Sequence, residues 1–111
     1  MEGIVANVNP GVCGFNCRIE AEPAGRRSVR IMIRESECTM VQKFSGLIKD
    51  ISLKDLFIPL TKNPIFSAAE QAGCHLACPV PVSVVKACEV ALGLAVPKDA
   101  AICFINNCET P

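Results

Sequence analysis

The chain has 111 residues, half of them hydrophobic, and its 11 lysine and arginine residues balance its 11 aspartate and glutamate residues. This length predicts a single domain over residues 1–111, with enough apolar residues to bury a core. The zero net charge and the lack of tryptophan and tyrosine give no basis for binding nucleic acid or an anionic membrane.

The chain begins with Met1-Glu2-Gly3-Ile4, which lacks the basic region and the apolar stretch of a signal peptide. No run of about 18 apolar residues follows, so we expect no membrane span and a cytoplasmic location. The apolar run from Ile4 to Val8 predicts a first strand, which Asn9-Pro10-Gly11 ends with turn-forming residues.

An alternation of apolar and polar residues then predicts a β-hairpin. The residues that share its apolar face are Cys17, Ile19 and Ala21 in one strand and Val29, Ile31 and Ile33 in the other. A turn centred near Gly25 would pair Glu20 with Arg30 and Cys17 with Ile33. Cys13 precedes the hairpin and Cys38 follows it, so antiparallel pairing predicts that Cys13, Cys17 and Cys38 meet at the same end.

Three helices are predicted after the hairpin. The first is capped by Ser36 and has apolar residues at helical spacing, namely Met40, Phe44, Leu47, Ile48 and Ile51. The second begins at Asn63-Pro64 and ends at Gly73. The third begins at Cys78-Pro79 and ends at Gly93, and its predicted buried face consists of Val82, Val85, Cys88 and Leu92.

A final strand is predicted from Ala101 to Ile105. The expected fold class is therefore α+β: an N-terminal β-hairpin or meander, then helices and a C-terminal strand. The helices are expected to pack on one face of a small antiparallel or mixed sheet.

Eight cysteines are a high number for a chain of this length. Because no export signal is visible, reduced thiols or metal ligands are favoured over a framework of disulfide bonds. Two Cys-x3-Cys pairs, Cys13/Cys17 and Cys74/Cys78, and the helix-start residue Cys38 form the candidate site. Positions at helix starts are expected to lower the pKa of Cys38 and Cys78. Such soft ligands suit zinc or an iron–sulfur cluster.

The remaining cysteines and the single histidine have simpler interpretations. Cys88 and Cys103 are expected to pack as small hydrophobes in a helix and in the last strand, and Cys108 to be exposed. His75 is expected to be a surface or hydrogen-bonded histidine. Nucleophile-elbow, phosphate-loop and dinucleotide motifs are missing from the sequence, so a conventional enzyme is not indicated.

The segment Cys78-Pro79-Val80-Pro81-Val82, followed by Lys86, resembles the Cys-Pro-x-Pro motif of the sulfur-carrier proteins of tRNA thiolation. This resemblance covers about thirty residues and implies that Cys78 carries a persulfide. The hairpin, Cys38 and the helix after it are similar to iron–sulfur scaffold proteins. As a whole, the chain looks like an uncharacterised cysteine-containing family of anaerobic prokaryotes.

Three hypotheses about function follow. The first is a metal- or cluster-binding protein that uses Cys13, Cys17, Cys38, Cys74 and Cys78, with sulfur atoms within about 4 Å of each other. The second is a sulfur carrier or thiol-redox protein with a reactive, exposed Cys78. The third is a structural or partner-binding domain whose thiols are packing residues and whose partner is an unidentified protein.

Overall fold

The computed structural model describes residues 3–106. Four strands form one antiparallel sheet in the order β1-β2-β3-β4. The strands are β1 (Ile4–Val8), β2 (Cys17–Pro23), β3 (Ser28–Arg34) and β4 (Asp50–Ser52), and the helices are α1 (Thr39–Leu47), α2 (Pro64–Ala72) and α3 (Val80–Ala91). Short 3₁₀ turns at Leu53–Phe57 and Leu60–Lys62 join β4 to α2. The α+β class with antiparallel strands is confirmed.

All three helices contribute to a core on one face of the sheet. Ile19, Val29 and Phe44 are fully buried in this core. The opposite face of the central strands is charged, and it carries an ion pair of 2.9 Å between Arg34 Nε and Glu20 Oε1. One face of each strand therefore packs under the helices and the other faces solvent. This arrangement explains the alternation of apolar and polar residues in the sequence.

The predicted hairpin is confirmed, but its register is wrong by two residues. Glu20 pairs with Met32 rather than with Arg30. The amide of Ala24 donates to the Ser28 carbonyl at 2.9 Å, which places the loop one residue later than predicted. Because side chains alternate with a period of two, a two-residue shift leaves each side chain on its predicted face.

The predicted C-terminal strand is wrong for Ala101–Ile105, which lie in no strand of the described part of the chain. Their apolar side chains are exposed, as at Ile102 and Phe104. The fourth strand is instead β4, where Ile51 pairs with Val29 and is buried. Ile51 was predicted to continue α1, and pairing with a neighbouring strand has overridden its helical spacing.

The predicted buried face of α3 is wrong at Val82 and confirmed at Cys88, and Val85 and Leu92 are partly buried against the core. Val82 is 46% exposed, whereas Val80, Val84 and Cys88 are fully buried. The buried stripe begins at the first residue of the helix and recurs after four, seven, eight and eleven residues, as helical geometry requires. Within residues 3–106, no helix has both the length and the apolar character needed to cross a membrane.

The start of α2 is fixed by a buried asparagine. The Asn63 side-chain oxygen accepts from the Ile65 amide at 2.9 Å, and its Nδ2 donates to the carbonyls of Asp55 and Ile58 at 2.8 and 3.1 Å. These bonds satisfy the amide group and join the preceding 3₁₀ turn to the helix. The predicted Asn63-Pro64 helix start is thereby confirmed.

Candidate functional site

The strand register brings the loop between β1 and β2, the start of β2 and the end of β3 to one end of the sheet. Val8 pairs with Cys17, and Arg18 pairs with Arg34. Cys17 is the first residue of β2 and is only 5% exposed. This end of the sheet therefore carries one buried thiol, with Cys13 in the loop before it.

Two consecutive turns shape the loop that carries Cys13. The Asn9 side chain accepts from the Gly11 amide at 3.1 Å, and the Gly14 amide donates to the Gly11 carbonyl at 2.9 Å. Gly11 and Gly14 have φ values of 89° and 71°, which L-residues rarely adopt, so glycine is required for this path. Cys13, between them, is exposed.

Cys38 is the residue that immediately precedes α1, and it is half-buried. Its carbonyl accepts the first helical hydrogen bond, from the Gln42 amide at 3.0 Å, while its own amide donates to Ser36 Oγ at 3.2 Å. The helix starts at Thr39, later than predicted, and Ser36 bonds the amide of Cys38 in the turn before it. The Cys38 side chain makes no capping hydrogen bond.

Cys74 is placed by the end of α2. Gly73 has a φ of 79°, its amide donates to the Glu70 carbonyl at 3.0 Å, and the Cys74 amide donates to the Ala69 carbonyl at 3.0 Å. This pair of bonds is a Schellman motif, which reverses the chain and directs Cys74 back along the helix. The thiol of Cys74 lies 3.9 Å from the Met40 carbonyl in α1, so it reaches the helix that Cys38 starts.

A short turn then leads to α3. The Cys78 amide donates to the His75 carbonyl at 3.0 Å, and Cys78 precedes the helix by two residues. Cys78 is half-buried, whereas the imidazole of His75 is exposed. The exposed position of His75 agrees with its sequence interpretation as a surface residue.

Electrostatic interactions connect the thiols of these separate segments. Burial first, and then the charges of Cys78 and Cys38, raise the pKa of the Cys17 thiol to about 11. Burial also raises the pKa of Cys74, with further contributions from Cys78 and Cys38. Like charges at short range disfavour ionisation, so these shifts have the direction expected for thiols that lie near one another.

The expectation of a lowered pKa at Cys78 is wrong. A hydrogen bond from the Val80 amide at the start of α3 does lower this pKa, as predicted for a helix start. Burial is the larger effect and raises the pKa, and the charges of Cys38 and Cys13 act in the same direction. The net effect is therefore a raised pKa, which favours the thiol over the thiolate.

Each of the five candidate thiols thus interacts with at least one other, and Cys38 and Cys78 have the most interactions. Within residues 3–106, however, no group of three or more histidine, cysteine, aspartate or glutamate side chains is arranged to hold a metal ion. The predicted approach of these sulfurs to within about 4 Å of each other around a metal or cluster is therefore not found in this part of the chain.

The other cysteines lie apart from this cluster. Cys88 is fully buried in α3, which confirms its role in packing. Cys103 is exposed and disulfide-bonded, so its predicted burial in a strand is wrong. Cys108 lies outside the described residues. The five candidate thiols and Cys88 are free.

A small cleft of about 260 Å³ opens beside Cys17, and the sequence analysis did not identify it. Its lining combines amide, carboxylate and thiol groups from the end of β1, the start of β2 and the residue after β3: Asn7, Val8, Asn9, Asn16, Cys17 and Glu35. Glu35 has a positive φ of 63°, and its carboxylate lies 3.4 Å from Arg18 Nε. Asparagine is common near turns in all proteins. The asparagines in this sequence therefore do not indicate such a cleft.

A family of unknown function, DUF6951, matches residues 4–104. The chain belongs to this family, which agrees with the sequence interpretation as an uncharacterised small domain family. No curated protein and no solved structure matches the chain.

Proposed function

We propose that this member of the family binds an iron–sulfur cluster through the thiolates of Cys17, Cys38, Cys74 and Cys78. The observation that supports the proposal is that Cys17 lies in the hydrophobic core and Cys38, Cys74 and Cys78 pack against that same core. The electrostatic effects among these thiols agree with it. Burial and neighbouring thiols raise the pKa values of Cys17, Cys74 and Cys78. Within residues 3–106, no lysine, arginine or histidine contributes to these shifts. Cationic iron would remove the repulsion between the thiolates.

A cluster suits these thiols better than a single ion does. In a mononuclear zinc site all sulfurs bind one ion at about 2.3 Å, so they lie within roughly 4 Å of each other. No group with an arrangement suited to one ion is found in residues 3–106. In a four-iron cluster each cysteine binds a different iron, so the sulfurs stand farther apart while their charges still interact.

The burial of the four thiols suits the same function. Cys17 belongs to the hydrophobic core, and Cys38, Cys74 and Cys78 pack against that core as half-buried residues. Apolar surroundings limit the access of water to iron–sulfur bonds and influence the reduction potential of a cluster. Cys88 is not proposed as a ligand, because the charges that act on it are those of Glu89 and Asp55 rather than of another thiol.

The sulfur-carrier hypothesis requires a thiol that ionises readily and is accessible. The half-buried Cys78, with its raised pKa, does not favour that role. The structural hypothesis requires thiols that contribute only to packing. Among the cysteines, Cys88 has this kind of environment, because it is fully buried in the core.

The test is anaerobic purification and reconstitution with iron and sulfide, followed by iron and sulfide analysis and visible absorption spectroscopy. The wild-type chain is expected to hold about four irons and to show charge-transfer absorption. Cys38→Ala is expected to lose the cluster. This substitution removes no capping hydrogen bond, so the helix start is preserved. Cys88→Ala is the matched control and is expected to retain the cluster.

Three results would contradict the proposal. A wild-type chain without iron, or equal iron in the wild type and Cys38→Ala, would exclude these ligands. Stoichiometric zinc without iron would instead favour a mononuclear site. In the cluster-free protein, faster alkylation of Cys78 than of the exposed Cys13 would favour the sulfur carrier.

A further inference from the structure

The two edges of the sheet differ in how they are protected from further pairing. β4 has only three residues and begins with Asp50, and both its shortness and its charge deter the addition of another strand. β1 has five residues without a charge, a proline or a bulge, and Val5 in it is exposed. In the described part of the chain, β1 pairs only with β2. The outer edge of β1 is therefore open to a further strand.

The side chains of β1 that face the helices are covered incompletely. Ile4, Ala6 and Val8 alternate with exposed residues, and α3 packs on this strand. Only Val8 is buried, whereas Ile4 and Ala6 pack against the core as partly buried residues. Side chains on neighbouring strands contact each other on the same face of a sheet. A strand added beside β1 would therefore cover the exposed parts of Ile4 and Ala6.

Residues 101–105 have the composition of a strand that suits this edge. The segment contains no charge, proline or glycine, and Ile102, Phe104 and Ile105 are exposed apolar side chains. Within residues 3–106, no backbone hydrogen bond joins this segment to another one. The family model extends through residue 104, so most of the segment belongs to the domain that the family shares. Apolar surface of this kind in a shared domain is typical of an interaction site.

We propose that two copies of this chain exchange their C-terminal segments, so that residues 101–105 of each copy pair with β1 of the other. Because side chains alternate along a strand, Ile102 and Phe104 share one face of the added strand. On the helix side of the sheet, these two side chains cover the partly buried Ile4 and Ala6. The exchange does not depend on the proposed cluster.

A second copy of the chain fits this edge better than another occupant does. The open edge and the exposed segment belong to the same chain, so two copies form a closed dimer that leaves neither part unpaired. Residues 92–100 lie in no helix or strand and join α3 to the segment, as the linker of an exchange does. The net charge is zero, so no long-range repulsion keeps two copies apart.

The exchange is tested by sedimentation equilibrium of the full chain and of variants with a charge on either side of the contact. The wild type is expected to be a dimer. Phe104→Glu in the segment and Val5→Glu in β1 are each expected to raise the dissociation constant about thirtyfold, because a charge replaces an apolar contact. Phe57→Glu is the matched control. Phe57 lies in the 3₁₀ turn after β4 and is 71% exposed, against 73% for Phe104, and its substitution is expected to leave the dissociation constant unchanged.

A mixture of the two weakened variants tests the exchange directly. In a mixed dimer, the unaltered segment of the Val5→Glu chain meets the unaltered β1 of the Phe104→Glu chain, so one of the two contacts is intact. The mixture is therefore expected to dimerise more tightly than either variant alone. Because both substitutions introduce the same charge, this gain cannot come from attraction between the new side chains.

Four results would overturn the exchange. The first is a wild type that is monomeric at every concentration, which includes a chain whose segment pairs with its own β1. The second is equal weakening of the dimer by Phe57→Glu and Phe104→Glu, and the third is a mixture no tighter than its components. The fourth is a dimer that persists on a denaturing gel without reducing agent, because a disulfide bond would then join the copies. Iron content has no part in these measurements, so they are independent of the test of the proposed function.

Discussion

Cys17 and Cys88 are both buried cysteines, yet their surroundings differ in kind. Cys88 is enclosed by the core, where burial and the carboxylates of Glu89 and Asp55 raise its pKa to about 12. Cys17 is equally covered by the sheet, but the groups that act on it are the thiols Cys78 and Cys38. Burial alone therefore does not distinguish a packing cysteine from a site cysteine. The identity of the charged neighbours does.

Alkaline pH is expected to have the largest effect, because it removes the contribution of both thiols to stability. Their folded pKa values, about 11 and about 12, exceed the ordinary 9.0, so below pH 9 both contributions to stability are fully present. Above pH 9 the unfolded chain releases the proton first, and each thiol lowers the free energy of unfolding by roughly 1.4 kcal/mol per pH unit. The decline ends near pH 11 for Cys17 and near pH 12 for Cys88.

The measurement is urea unfolding of metal-free, reduced protein from pH 8 to pH 10.5. Cys17→Ala and Cys88→Ala are each expected to weaken the alkaline loss of stability relative to wild type, since each removes one thiol that titrates. A variant as sensitive to alkali as the wild type would show that its thiol is not the buried group described above.

Cys88→Ser is expected to have an intermediate effect. A hydroxyl in place of this fully buried thiol is expected to lower the free energy of unfolding by about 1–3 kcal/mol, because it loses its bonds to water. Iron content after reconstitution is expected to match the wild type. Loss of iron in a variant that still folds, as judged by circular dichroism, would make Cys88 part of the site and remove the distinction from Cys17.

The smallest expected effect concerns the glycine that positions Cys74. Gly73→Ala places a side chain at a φ of 79° and is expected to lower the free energy of unfolding by about 1 kcal/mol. Gly46→Ala is the control: Gly46 lies inside α1 with open space around its Cβ position, so alanine is expected to stabilise by about 0.5–1 kcal/mol. Thermal unfolding of both variants measures the difference, and equal shifts would contradict it.

Local patterns predicted the strands and helices because their causes are local. The alternation around Ile19, the Asn63 cap and the Gly73 stop each act within a few residues. The fourth strand was missed because β4 has only three residues and depends on pairing with β3. The segment from Ala101 to Ile105 has a strand-like composition, but no strand pairs with it in the described part of the chain.

The candidate site was predictable only in part. Antiparallel pairing requires Cys17 and the end of β3 to lie at one end of the sheet, whatever the register. How far Cys78 is buried could not be predicted from the sequence, since its burial depends on how α3 packs on β1 and β2. For that reason the lowering of the Cys78 pKa by the start of α3 was predicted correctly. The larger increase caused by burial was not predicted.

The thiols come from both halves of the chain, and Cys17 and Cys78 are separated by more than half of its length. Any group bonded to both would act as a cross-link that encloses three strands and two helices. Such a link lowers the conformational entropy of the denatured chain, and the loss grows with the length of the enclosed loop. The loaded protein would consequently resist heat and proteases far better than the empty one.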